Sequence, residues 1–263
     1  MHIPEYSVSL LIWIIPICIM VFFLMKRRLI VPEKTYAMII TIGVFSIIGG
    51  ILDLFLGRYF FVFPDPHAVI GFRPGNIPIE EFVFYITGLW FILIFYVFCD
   101  EWFLKKYNPP DEKYARIRSK INRLLFLHYP TCLWALFALL VGFICKRIVN
   151  PEGEFIPGYF FFLVIVIFLP MLFFYRVTKL FVNWRAFQFV LLVTVLISII
   201  WEVTLALPRG YWGYQKGAML GLFIDVWHGL PVEAVFVWVS GTIIIVCYEF
   251  VKIYFFTKAP PSK

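Results

Sequence analysis

Charge is scarce in this sequence, and the usual polar signatures are scarcer still. Only 15% of its 263 residues are charged, whereas 62% are hydrophobic and 21% aromatic. That is more apolar side chain than one soluble core could bury, so a soluble globular fold is excluded and the bilayer is the solvent that fits. No Cys-x-x-Cys pair occurs among the five cysteines, Cys18, Cys99, Cys132, Cys145 and Cys247. Neither a zinc site nor a disulfide framework is therefore indicated, and the thiols read as small apolar fillers. Histidine numbers four, and the spacing of Asp65, His67, Asp225 and His228 fits no closed metal site. No Gly-x-Gly-x-x-Gly fingerprint follows a strand pattern, which argues against a Rossmann-bound flavin or nicotinamide. The expectation is a protein with no cofactor and no metal. The last apolar run has no lysine near its middle, only Lys252 toward its end, which excludes a retinal Schiff base. No Lys or Arg precedes the first run, and no small-residue cleavage site follows Met25-Lys26-Arg27-Arg28. That run is read as a membrane span and not as a signal peptide.

What is present is a series of long apolar runs. Crossing the hydrocarbon takes about 20 mostly apolar residues as helix. Seven runs qualify, at 8–25, 37–57, 79–99, 124–145, 158–175, 186–207 and 231–254, and they predict an all-α membrane protein. Pro16, Pro130 and Pro170 lie inside or near the ends of spans, where neighbouring helices satisfy the freed backbone groups. The loops after the odd-numbered spans carry four, seven and three of the Lys and Arg residues, and the C-terminal end carries three, counting Lys252. That places 17 on one face against 6 on the other, and the positive-inside bias predicts an outside N-terminus and a cytoplasmic C-terminus. The net charge of +7 follows from this bias and from contact with anionic headgroups, not from nucleic acid. Lys105 to Arg123 is the densest basic stretch and reads as a solvated cytoplasmic loop.

A pattern occurs twice. Phe45-Ser46-Ile47-Ile48-Gly49-Gly50-Ile51-Leu52-Asp53 is followed by an aromatic loop with Arg58-Tyr59-Phe60-Phe61 and then by Asn76-Ile77-Pro78-Ile79-Glu80-Glu81-Phe82. Ile197-Ser198-Ile199-Ile200-Trp201-Glu202 is followed by Arg209-Gly210-Tyr211-Trp212-Gly213-Tyr214 and then by Gly229-Leu230-Pro231-Val232-Glu233-Ala234-Val235. The spacing predicts two parallel three-helix units, spans 1–3 and 5–7, joined by span 4. Residues 1–100 form the first module, 101–157 the basic loop and connecting helix, and 158–263 the second module. Pro78 and Pro231 read as first helical residues, because a proline there loses no needed N–H. Asp53 and Glu202 lie within or near the ends of apolar runs, where a charge costs about 2.5–3.5 kcal/mol and faces a bundle interior or cavity. Symmetry-related packing would bring Asp53, Glu80, Glu81, Glu202 and Glu233 together with few cations nearby. At least one carboxyl is then expected to stay protonated, as in an acid/base pair.

At these residues the chain resembles the membrane-integral lycopene cyclases of carotenoid biosynthesis, the heterodimeric bacterial type that also occurs fused in archaea and fungi. The first copy matches at Asp53 and Pro78-Ile79-Glu80-Glu81, the second at Trp212-Gly213-Tyr214 and Pro231-Val232-Glu233. The likeness covers roughly 36–100 and 185–255. The second copy has Ala234 where the family tends to have a second Glu and Glu202 where an Asp is usual, and the first lacks the loop Trp.

The resemblance implies a multi-pass isomerase of the cell membrane that closes a β-ring at the end of a linear carotenoid, an intramolecular lyase reaction without redox change. It implies a polyene substrate, the bilayer as surroundings, and room for a complex with other carotenoid-biosynthesis enzymes. Glu80 or Glu81 is expected as the acid, with Asp53 orienting it or acting as base. Glu233 and Glu202 would take the corresponding roles in the second module. Tyr85, Trp90, Trp212, Tyr214 and Trp238 are expected to line a tunnel or stabilise a cation. Two alternatives stand beside this: a proton-coupled transporter, which also uses repeated modules with intramembrane carboxylates, and a non-catalytic carotenoid-binding subunit, motivated by Ala234.

Overall fold

The computed structural model describes residues 4–110, 127–151 and 154–258. Seven helices in it are long and apolar enough to cross a membrane: α1 Glu5–Lys26, α2 Pro32–Phe60, α3 Ile79–Phe103, α4 Tyr129–Val149, α5 Gly158–Thr178, α6 Trp184–Ala206 and α7 Glu233–Phe256. Each is apolar around most of its circumference, as a helix must be when both its packed face and its lipid face are dry. Each run read from the sequence overlaps one of these helices, with shifted ends. The fourth helix begins at Tyr129 and not at 124, where His128 and Pro130 mark its start; residues 111–126, and with them most of the basic stretch, lie outside the described residues. Pro16 and Pro170 fall within helices.

Helices α3 and α7 are the most buried of the seven and form the centre of the bundle. α7 packs against α2, α3, α5 and α6, and α3 also meets α1, α2 and α6, whereas α4 leans chiefly on α5. One end of the bundle, called upper here, gathers the chain start, the loop 61–78 and the loop 207–232. Four two-residue strands tie these together: β1 Phe61–Val62 pairs antiparallel with β2 Gly213–Tyr214, and β3 Phe223–Ile224 with β4 Leu230–Pro231. Tyr6 N–H donates to the Ala68 carbonyl at 3.1 Å and Gln215 N–H to the Phe60 carbonyl at 2.8 Å. Two local expectations are corrected. Arg58, Tyr59 and Phe60 form the last turn of α2 and not a loop, and Pro231 belongs to strand β4 while Pro78 is the residue before α3 begins. Both prolines close the loop instead of starting the helix.

The lower end is held by a charged network inside the helix packing. The Lys34 ammonium lies 2.7 Å from Glu101, Lys252 lies 2.7 Å from Glu249 and 3.8 Å from Asp100, and all five side chains are buried. The Tyr96 hydroxyl donates to Glu249 Oε1 at 3.0 Å, and the Asn183 amide donates to Asp100 Oδ1 at 3.0 Å. α2, α3, α6 and α7 are thereby fixed to one another where their apolar faces end.

Candidate functional site

Between α2, α3, α5 and α7, under the two upper loops, lies a cavity of about 510 Å³, within the ~300–1,000 Å³ usual for small-molecule sites. Asp53 reaches it from α2, Glu81 from the first turn of α3 and Glu202 from the last turns of α6. Tyr85, Tyr159, Trp212, Tyr214 and Trp238 line it with them, and no Lys, Arg or His does so among the described residues. Three acids thus share an apolar chamber with no counter-charge on its walls.

Each acid is positioned differently. Glu81 accepts a hydrogen bond from the Tyr6 hydroxyl at 2.7 Å on Oε2, so the first helix, which precedes either copy of the pattern, orients a residue of the third. Asp53 and Glu202 are the other carboxyl groups on the same cavity wall. Glu202 accepts from the Ser198 hydroxyl at 2.9 Å and from the Tyr214 hydroxyl at 2.8 Å. Burial, reinforced by that carboxylate, pushes the Tyr214 phenol well above its ordinary range, so it remains a proton donor to Glu202. Asp53 is held less: its Oδ2 is buried with no hydrogen-bond partner among the described residues. A buried acceptor left open in this way is costly, and at a cavity wall it marks a group available to a ligand.

Two glycines make room for these side chains. The Tyr85 ring occupies the space a Cβ on Gly49 would fill, and at Gly57 the space is shared by Ile77 and by Asp53 Oδ1, 2.6 Å from such an atom. Gly49→Ala is therefore expected to drive Tyr85 out of the cavity wall, with an overpacking cost of about 1–3 kcal/mol. A fall in the thermal unfolding midpoint of the purified protein would register it; an unchanged midpoint would mean that the α2–α3 contact is looser than described.

The aromatic wall is continuous. Phe84 stacks on Trp201 with centroids 5.0 Å apart and meets Trp212 at 4.9 Å, while Trp238 stacks on Trp13 at 4.9 Å. Tyr159 lies 6.4 Å from Tyr214 and 5.0 Å from Phe60.

The remaining residues singled out from the sequence lie elsewhere. Glu80 faces the loop before it: its Oε1 accepts from the Ile70 N–H at 2.6 Å and from the Ser7 hydroxyl at 3.0 Å. Glu233 does the same in its own loop, accepting from the Leu220 N–H at 2.6 Å. The parallel extends to neighbouring atoms. Ile79 N–H donates to the Phe72 carbonyl at 3.0 Å and Val232 N–H to the Leu222 carbonyl at 3.1 Å. Gly71 and Gly221, directly after the two donors, have φ of 95° and 98°, a backbone region that glycine adopts without steric cost. Glu80 and Glu233 thus tie down the two loops at the upper end and do not themselves line the cavity. Ala234 takes the place of Glu81. Behind Glu233, the buried Lys146 donates to the Gly217 and Met219 carbonyls at 2.8 and 2.6 Å. Trp90 faces outward, 42% exposed, away from the chamber.

Sequence reasoning missed Tyr6, Tyr159 and Phe84. Tyr6 precedes the first predicted span, and Tyr159 opens an aromatic run in which no single ring stands out. Comparison of the chain with protein-family models, with curated proteins and with solved structures finds no match.

Proposed function

We propose that the chain is a lycopene-cyclase-like isomerase of the membrane, which closes a ring at the end of a linear carotenoid by acid catalysis. The observation that supports it most is the set of three carboxyl groups, Asp53, Glu81 and Glu202, on one aromatic cavity without a cation among its described lining residues. Ring closure of a terminal isoprenoid unit needs only a proton donor, a base, a dry apolar space and π-faces for a carbocation.

In this reading the Glu81 carboxyl gives its proton to the terminal C=C, whose electron pair forms the new C–H bond and leaves a tertiary cation. The π electrons of a nearer double bond attack that centre and close the ring, moving the positive charge onto a ring carbon. Asp53, with its open oxygen, removes a proton from the adjacent carbon, and the C–H electrons become the ring double bond. Substrate and product are isomers, and exchange with solvent between turnovers, Asp53 losing the proton it took and Glu81 gaining another, restores the start. Glu202, fixed by Ser198 and Tyr214, lowers the energy of the cation electrostatically, and Trp212, Trp238 and Tyr85 face it with their rings. Asp53 and Glu81 come from the first module and Glu202, Trp212 and Tyr214 from the second, so the two modules build one centre, with Glu80 and Glu233 as loop-positioning residues. The same reading sets the upper end outside and the lower end in the cytoplasm of a cell membrane, following the Lys and Arg bias.

Expression in lycopene-accumulating cells, followed by pigment chromatography, tests this. A monocyclic or bicyclic carotene is the expected product. Unchanged lycopene in cells whose membranes contain the protein would overturn the proposal.

A further inference from the structure

The cavity has a side opening. α2 and α5 both pack on α7, and near the upper end they meet through Phe60, whose ring lies 5.0 Å from Tyr159 and 5.5 Å from Phe162. Further down, the lining residues of the same two helices face outward: Ile48 is 52% exposed, Ile165 52% and Leu169 53%. Pro170, also in the lining, sits within α5, where it removes an N–H that would otherwise bond the Val166 carbonyl and loosens that turn.

At 1.5 Å per residue, Ile165 and Leu169 lie roughly 10 and 16 Å below the start of α5, and Ile48 roughly 18 Å below the end of α2. That is mid-depth in a hydrocarbon core about 30 Å thick. Glu81 lies higher, within the first turn of α3, and Asp53, roughly 10 Å below the end of α2, is level with Ile165 and above Ile48 and Leu169. The deepest α3 residue on the wall, Ile92, is roughly 16 Å from Glu81 along the axis, about half the hydrocarbon thickness.

We infer that a linear apolar chain enters this cavity sideways from the bilayer, between α2 and α5 at Ile48, Ile165 and Leu169, and that only one end of it is admitted at a time. The terminal unit rises along the aromatic wall to the three acids, while the rest of the chain stays among the lipid tails. The route does not pass between the upper loops, which Glu80 and Glu233 tie through the Ile70 and Leu220 N–H groups. A substrate with two reactive ends must leave and return reversed for the second reaction. The identity of that chain as a linear carotenoid rests on the function proposed above; the side opening does not.

The test uses the full chain in lipid nanodiscs, with its five native cysteines replaced by alanine or serine and Ser240, on the cavity wall, changed to cysteine. A lipophilic maleimide is expected to label this thiol, and a membrane-impermeant sulfonated maleimide is not. Adding Ile48→Trp and Ile165→Trp should slow the lipophilic labelling about tenfold, equivalent to about 1.4 kcal/mol in the barrier. Lycopene loaded into the discs should slow it as well. Labelling by the charged reagent, or labelling that ignores the two tryptophans, would overturn the side opening. Slowing by the tryptophans without protection by lycopene would keep the opening and reject the carotenoid, separating this inference from the proposed reaction.

Discussion

Glu81→Gln is expected to abolish ring formation in lycopene-accumulating cells while leaving the protein folded in the membrane. The change removes an acidic proton and almost nothing else. Gln has the same shape, and its amide oxygen can still accept the hydrogen bond that Tyr6 donates to Glu81 at 2.7 Å. A positioned general acid contributes about 10²–10⁴-fold to a rate, and a carboxamide has no proton to give at neutral pH, so a loss of that order follows. Glu80→Gln is the informative companion. Its carboxylate accepts from both the Ile70 N–H and the Ser7 hydroxyl, and a neutral amide oxygen accepts such bonds more weakly than a charged one, so its replacement should loosen the loop and lower the unfolding midpoint while cyclised pigment still forms. Activity lost with Glu80→Gln at an unchanged unfolding midpoint, and retained with Glu81→Gln, would reverse the two roles. Trp90→Leu, on the outward face, should leave the product yield unchanged.

Lys252→Met is expected to be the most destabilising single change. The Lys252 ammonium lies between Glu249 at 2.7 Å and Asp100 at 3.8 Å, with all three side chains at most 2% exposed. Removing the cation leaves two carboxylates buried together, and breaking a buried ion pair from one side costs about 3–5 kcal/mol. Changing Glu249 to Gln and Asp100 to Asn in the same chain should recover most of that loss, because the two carboxylates that faced Lys252 are then neutral. Thermal unfolding of the purified variants measures both effects. A single variant as stable as the parent would show that solvent reaches this network, and the account of the lower end would fail.

Much of the helical architecture is legible in the sequence because the bilayer imposes a length and a composition that few other environments require. The seven apolar runs carry that information without help from packing. Helix ends are less legible: a run stays apolar a few residues past or short of where capping stops it, as at Tyr129 and at the last turn of α2. The acids are legible as charges in apolar surroundings, and the doubled Pro-x-Glu pattern marks the two loops at the upper end. Which Glu faces the chamber was not visible. Glu80 and Glu81 are adjacent in sequence, and the choice between them depends on where the Ile70 N–H and the Tyr6 hydroxyl lie, which is settled by loop geometry and by contacts across 75 residues. The lower network escaped notice for a similar reason. Asp100 and Glu101 follow the third apolar run and Lys252 lies toward the end of the last, far apart in the chain, and only the packing of four helices brings them together.

The origin of the added hydrogen tests the central claim most directly. Protein reconstituted with lycopene in lipid nanodiscs in D2O should yield a cyclic carotene carrying a single deuterium for each ring closed, read from the mass of the product, because the exchangeable proton of Glu81 becomes a C–H of the ring while a different hydrogen leaves to Asp53. Cyclic product without deuterium would contradict proton donation from an exchangeable acid, and absence of cyclic product from well-folded protein would contradict the proposed reaction itself.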